Sequence, residues 1–315
     1  MTRDRSVQMT VLLILAFSAM TLFGCDQGTS GTTSNKNYYT GIKGVEMSFM
    51  PGLPPNTMYE GDKFEAVIEM RNLGTYPEEG APEGKLYISG FDDQAIKGYW
   101  ENLDIFPDSF QGISPINPTG GYATKVYVDR EVRVPFDNPR YEAPIQVTAC
   151  YKYRTTATPV VCIDPEPGNR IPDKPCTPQI VSMSGGQGAP VAVTSIEPRT
   201  TRDGIYYTIY ISNLGTGKLI APNAYGKCPF NLDYNDLNKV LVHAELPFDQ
   251  APECTPQGTS SEPVILSNSG SGAITCRFNN PGGDAYTTPL RIRIDYVYSS
   301  SIKKNIEILN LNYKR

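Results

Sequence analysis

Two alternating segments of this chain run into the same four residues, and that repetition limits the fold more than any other feature. Phe64-Glu65-Ala66-Val67-Ile68-Glu69-Met70-Arg71 leads into Asn72-Leu73-Gly74-Thr75, and Ile205-Tyr206-Tyr207-Thr208-Ile209-Tyr210-Ile211-Ser212 leads into Asn213-Leu214-Gly215-Thr216. Alternation with a period of two marks half-buried strands. Asn and Gly after such a strand supply the positive φ angles of a tight turn, so Asn72, Gly74, Asn213 and Gly215 are expected turn residues. A second pair lies downstream. Pro144-Ile145-Gln146-Val147-Thr148-Ala149-Cys150-Tyr151-Lys152-Tyr153 matches Pro289-Leu290-Arg291-Ile292-Arg293-Ile294-Asp295-Tyr296-Val297-Tyr298 in its proline, its apolar positions and its Tyr-x-Tyr. Phe136-Asp137-Asn138-Pro139 and Phe278-Asn279-Asn280-Pro281 precede them. From Asn72 to Pro144 is 72 residues, and from Asn213 to Pro289 is 76. Three motifs in one order at near-equal spacing imply two copies of one β-unit.

Each copy is expected to close with a hairpin. Residues 145–153 are read as folding back around Thr156 onto 159–164, and 289–298 as turning near Ser299-Ser300-Ser301 onto 302–309. Twenty tyrosines, 28 glycines and 27 prolines accompany few helix-forming runs, the composition of an all-β chain with many turns. The expected architecture is two tandem Ig-like β-sandwiches, residues 41–165 and 189–315. A Pro/Gly-rich linker with a small hairpin, 166–188, joins them, since proline cannot donate within a central strand. Cys176-Thr177-Pro178-Gln179 recurs as Cys254-Thr255-Pro256-Gln257, each before an apolar strand and a glycine turn.

A strand ending in Asn-x-Gly-Thr, followed by an alternating strand with Asp-Tyr near its end, resembles the CARDB-type domain, an Ig-like module of prokaryotic surface proteins. Asn72–Thr75, Asn213–Thr216 and Ile292-Arg293-Ile294-Asp295-Tyr296 carry the resemblance, which covers about half of each copy. The long middles, 76–130 and 217–260, depart from the compact family pattern. The resemblance implies adhesion or assembly at a cell surface and brings no catalytic residues with it.

The N-terminus places such a body in the cell envelope. Arg3 and Arg5 precede an apolar run from Met9 to Phe23. That run is shorter than the ~20 residues a membrane span needs and has the length of a signal-peptide core. Leu22-Phe23-Gly24-Cys25 resembles a lipobox. Residues 1–24 are therefore expected to be removed, leaving Cys25 lipidated and 25–40, rich in Gly, Ser and Thr, as a flexible tether. The protein is expected to sit on the outer face of the cytoplasmic membrane, and Asp26 resembles a signal for retention there. Loss of residues 1–24 moves the net charge from −5 to −6. A mildly acidic chain argues against nucleic acid, which needs a basic face.

Six cysteines remain after Cys25, an even number that reads as disulfides in an exported chain. Cys150 is expected to pair with Cys162 across the first hairpin, and Cys254 with Cys276 across a 264–275 hairpin. Cys176 and Cys228 are left to each other by elimination.

No catalytic, metal or cofactor site emerges. The one histidine, His243, alternates with Val240, Val242, Ala244 and Leu246 and belongs on the solvent face of a strand. There is no Gly-x-Ser-x-Gly elbow. Gly185-Gly186-Gln187-Gly188 lacks a following Lys and reads as a turn. Asn231-Leu232-Asp233-Tyr234-Asn235-Asp236 starts like a calcium loop, but Asp236 and Val242 stand where glycine and glutamate are needed. Asp92-Asp93 reads as the cap of a short helix running to Trp100. The expected function is non-enzymatic: an anchored surface lipoprotein that contacts other envelope proteins in adhesion or appendage assembly. The alternative is glycan or calcium binding through 76–130 or 217–260, with Tyr38, Tyr39, Tyr76, Tyr99, Trp100 and Tyr122 as aromatic candidates for sugar.

The anchor reading has a direct check. Cys25→Ser should leave the precursor uncut or move the body from the membrane pellet to the soluble fraction; normal processing with unchanged membrane association refutes it.

Overall fold

The computed structural model describes residues 38–96, 100–103, 105–128, 131–169, 173–201 and 203–313. Residues 1–37, which hold the expected signal segment 1–24, Cys25 and most of the expected tether, lie outside the described residues. The chain is 47% strand and 5% helix, so the all-β reading holds.

The first repeat supplies β1 (Val45–Phe49), β2 (Thr57–Tyr59), β3 (Glu65–Asn72), β4 (Gly84–Ser89), β5 (Trp100–Leu103), β6 (Tyr122–Val128), β7 (Arg140–Ala157) and β8 (Val160–Ile163). The second supplies β9 (Val181–Ser182), β10 (Val191–Thr201), β11 (Gly204–Asn213), β12 (Lys218–Ile220) and β13 (Lys239–Glu245). It continues with β14 (Glu253–Thr255), β15 (Val264–Ile265), β16 (Ser271–Phe278), β17 (Tyr286–Pro289) and β18 (Arg291–Leu309).

The long strands β7 and β18 organise everything else. They are the Tyr-x-Tyr segments, and neither folds back on itself: β7 runs 18 residues and β18 runs 19. The expected hairpins around Thr156 and Ser299–Ser301 are absent because those stretches hold no Gly, Pro or Asn to break the extended chain, and threonine favours it. The serines pair across strands instead, with Ser301 Oγ 2.8 Å from Thr148 Oγ1. Turning waits for Thr158-Pro159 in the first copy.

β7 and β18 pair with each other, antiparallel, along their full length. The register sets Tyr151 opposite Tyr298, Lys152 opposite Val297 and Tyr153 opposite Tyr296. Since Tyr151 and Tyr153 correspond to Tyr296 and Tyr298 in the repeat, the two copies exchange about a pseudo-two-fold axis at Lys152/Val297. On either side the order repeats: β5-β4-β7 meets β18-β13-β15 in one broad sheet. Above it lie two smaller sheets, β1-β3-β6 from the first copy and β14-β16-β11-β10-β9 from the second. Val45 pairs with Asn72 as Val191 pairs with Asn213, so the copies agree in register here too.

The inward residues of all three sheets form one continuous apolar cluster, from Met47, Ile68 and Leu86 through Tyr151 and Tyr296 to Ile209 and Ile294. The expected separate bodies 41–165 and 189–315 are therefore halves of one compact unit, 38–315. Strand β8 pairs with β17 across the repeats, and the linker is no spacer, because Cys176 bonds Cys162 of the first repeat and Gln187 bonds Val193 of the second.

Among the described residues, the outer face of the broad sheet is buried mainly around the axis. There the insert 221–237 lies over Cys150, Tyr87 and Val297 in a second, smaller cluster. This cover explains why β7 is buried continuously from Val147 to Tyr151 instead of alternating.

The disulfides follow this geometry and correct two expected pairings. Cys150 lies on the outer face of β7 and bonds Cys228 of the insert. Cys162 is carried away on β8 and bonds Cys176, closing the linker loop. The straight course of β7 through Thr156 keeps Cys150 and Cys162 from meeting. Cys254 and Cys276 pair as expected, but across β14 and β16; β15 pairs with β13 and not in a 264–275 hairpin.

The sheet edges are handled differently in the two copies. β16 is covered by β14 and its disulfide. Its counterpart β6 is an edge among the described residues, and places Lys125 on its core side opposite Ile68. A half-buried lysine there discourages another strand from adding.

Two outcomes follow from the shared sheet. Non-reducing peptide maps should contain 150–228 and 162–176 peptides, and Cys150→Ser/Cys228→Ser should lower stability by ~2–4 kcal/mol. The second repeat expressed alone, residues 178–315, should self-associate through the bare edge of β18; a stable monomer by sedimentation counts against one common core.

Candidate binding cleft at the seam between the repeats

The Asn-Leu-Gly-Thr motifs and the Tyr-x-Tyr motifs meet. Asn72 is fully buried. Its Nδ2 donates to the carbonyls of Tyr76 (2.8 Å) and Phe110 (3.2 Å). Its Oδ1 accepts from Gly74 N–H (3.3 Å) and the Tyr153 hydroxyl (2.9 Å). Asn213 repeats the arrangement with Gly217 O (3.0 Å), Gly215 N–H (3.2 Å) and the Tyr298 hydroxyl (3.3 Å). None of Asn72, Gly74, Asn213 and Gly215 has a positive φ, which corrects the backbone conformation expected of these turns. The glycines are needed for space: a Cβ on Gly74 would overlap the Tyr153 hydroxyl, and one on Gly215 the Tyr298 hydroxyl.

Burial holds the hydroxyls of Tyr153 and Tyr296 well above the ordinary tyrosine value, with neighbouring tyrosines adding to the rise. Tyr151 is raised by the same desolvation. All three are neutral hydrogen-bonding groups over the physiological range, and their rings stack edge-on or tilted along the seam.

The pseudo-two-fold axis generates two equivalent seams, where the turn of one repeat faces the lead-in to the first strand of the other. One is closed. Thr75 N–H donates to Gly188 O at 2.8 Å. Thr155 Oγ1 donates to Val191 O at 2.6 Å and lies 3.0 Å from the Tyr296 hydroxyl. Buried Gln187 spans Val193, accepting from its N–H (2.8 Å) and donating to its carbonyl (3.1 Å).

The other seam is open. Ser300 stands where Thr155 does, but its buried Oγ forms no well-aligned hydrogen bond, although it lies near the Tyr151 hydroxyl. Val45 N–H donates weakly to Tyr151 Oη (3.3 Å). A cleft of about 370 Å³ results, walled by 42–47 on one side and Leu214–Thr216 on the other, with Tyr151, Tyr298 and Ser300 in its floor. Its lining is mostly apolar, with a few convergent polar groups, as ligand clefts are.

Other sequence candidates resolve into structural roles. His243 is exposed, 3.5 Å from Glu245, on the solvent side of β13. Asp233 and Asp236 hold Lys227 at 3.2 and 2.8 Å, and that ammonium keeps Asp236 below the usual carboxylate range. The calcium-like loop thus carries its own cation. In the glycine-rich stretch, the Gln187 amide is taken up by the backbone of Val193. Asp92 accepts from Gln94 N–H in a turn, not at the head of a helix. Tyr76 packs edge-on against Tyr153, while Tyr122 lies on β6 beneath Arg71 and bonds Glu69. Tyr99 and the side chain of Trp100 lie outside the described residues. A larger cleft of about 490 Å³ near Asp164 and Asp284 has its buried carboxylate, Asp164, answered by Lys174 at 2.8 Å.

In the sequence Tyr-x-Tyr stands out only as a repeat marker, and Gln187 and Ser300 only as parts of expected turns. The spacing from Thr155 to Ser300, equal to that from Pro144 to Pro289, was the available signal.

The buried tyrosines give a pH dependence. Their folded values are raised, so the stability they contribute is complete below the unfolded value near 10 and is lost as pH rises above it. Urea midpoints should fall between pH 9 and about 11.5, with tyrosinate absorbance of the buried group appearing only on unfolding. Asn72→Ala should cost roughly 3 kcal/mol, more than Asn213→Ala at its half-exposed twin, because it strands the Tyr153 hydroxyl and two carbonyls in the core.

No family model matches the chain, and no curated protein is significantly similar to it.

Proposed function

We propose that this chain is an exported, lipid-anchored and non-enzymatic envelope protein that works by protein–protein contact, in adhesion or in assembly of a surface structure. The observation that carries the contact reading is the open seam: one of two equivalent clefts is filled by the chain itself and the other is left unfilled. The three disulfides support an oxidising location outside the cytoplasm. Cys25 supplies the anchor, and the 25–40 tether gives the body reach from the membrane. The resemblance of the Asn-x-Gly-Thr strands to CARDB-type modules points the same way.

Leu214 is exposed on the cleft wall and Ile265 is exposed away from it. A photo-crosslinking residue in place of Leu214 should give a discrete adduct with an envelope protein in intact cells, and one in place of Ile265 should not. Equal labelling at both sites, or saturable binding to a glycan array in place of any protein adduct, overturns the reading.

A further inference from the structure

The open seam exposes the edge of a strand. In the β1–β3 ladder, Leu73 N–H bonds Gly44 O and Met50 N–H bonds Val67 O. Residues 44, 46, 48 and 50 therefore face β3, and residues 45, 47 and 49 turn their N–H and C=O to the other side. The bond from Val45 N–H to Tyr151 confirms that phase. Among the described residues, no strand pairs with this side of β1, and the N–H and C=O of Met47 have no partner. They open onto the seam cleft, which Met47 lines.

The twin edge shows what such a strand receives. Val193 corresponds to Met47, since it pairs with Ile211 as Met47 pairs with Met70. Both of its backbone groups are met by the amide of Gln187, and β9 continues the cover at Ser195 and Ile196. The position matching Gln187 in the first repeat is Gly41, which has no side chain to offer. The geometry points to the free edge of β1 as a strand-addition site for an extended segment of a partner polypeptide. That segment would add beside β1 as a fourth strand of β1-β3-β6, hydrogen-bonded to Met47. The inference rests on the contact reading above and names the chemistry of the contact.

The occupant follows from the cleft. Its rim charges cancel, because Lys43 Nζ lies 2.9 Å from Glu46, so a neutral segment fits. Residues 45–49 extend over ~13 Å, room for four or five residues in strand conformation. The Leu214–Thr216 wall leaves the edge recessed, which favours a single extended segment over the folded body of a second copy.

Residues 179–187 of this chain, Gln-Ile-Val-Ser-Met-Ser-Gly-Gly-Gln, are neutral and cover the twin edge. A capped fluorescent peptide of that sequence should bind the purified full-length protein saturably and slow hydrogen exchange at the Met47 amide. Of two backbone-methylated versions, at Ile180 and Ser182 or at Val181 and Met183, one should bind about 10-fold more weakly and the other normally, since only alternate amides face the edge. Met47→Pro should weaken binding to a similar degree, because its N–H is outside the β3 ladder; the methylated peptides carry the test if that variant unfolds. Equal binding of both methylated peptides, protection elsewhere, or no saturation up to about 1 mM overturns strand addition. If the Leu214 crosslink persists in that case, the contact reading stands without it; if the crosslink fails too, both fall.

Discussion

The antiparallel union of β7 and β18 is the interaction on which the molecule depends. The sheets β1-β3-β6 and β14-β16-β11-β10-β9 pack over the broad sheet that this pair centres. Because equivalent residues pair reciprocally, the two repeats present the same inward residues to one common interior, with Tyr151, Tyr153, Tyr296 and Tyr298 at its centre. Each repeat alone would leave its longest strand with an unpaired edge and its tyrosines half covered. The duplication thus yields a single larger interior, which buries a greater fraction of its surface than two small ones.

That arrangement also explains where symmetry fails. The turns of both repeats are built alike, with an asparagine amide clasping a tyrosine hydroxyl beside a glycine. The segments leading into β1 and β10 differ, and those segments decide which seam closes. Gln187 and Gly188 fill one; their counterparts Gly41 and Ile42 leave the other vacant. The asymmetry that gives the molecule a cleft comes from these lead-ins and from Ser300 standing where Thr155 does.

The sequence revealed the repeat, the strand character of its motifs and the solvent-facing His243, because alternation and recurrence are local signals. It did not reveal that β7 and β18 run straight. A threonine run and a serine run read as turns when only polarity is weighed, and as strand when β-branching and the missing glycine are weighed. The disulfides follow from the same point, since only a hairpin at Thr156 would bring Cys150 and Cys162 together, and β7 runs straight through it. The seam was not legible, because it depends on which edges meet after folding. Even so, the counterpart relation between Thr155 and Ser300 was present in the spacing.

The pair at the pseudo-two-fold axis has a further consequence. In an assembly of two identical chains, whatever residue sits on the axis must face its own copy: lysine would oppose lysine, and valine would oppose valine. Here Lys152 faces Val297. The lysine lies over the Tyr225 ring at 5.0 Å and pairs with Glu83, while the valine is wholly buried beneath the insert. Joining the copies in one chain frees the axis from self-complementarity. The two halves can then diverge where symmetric partners would be locked together, as the seams on either side of the axis have done.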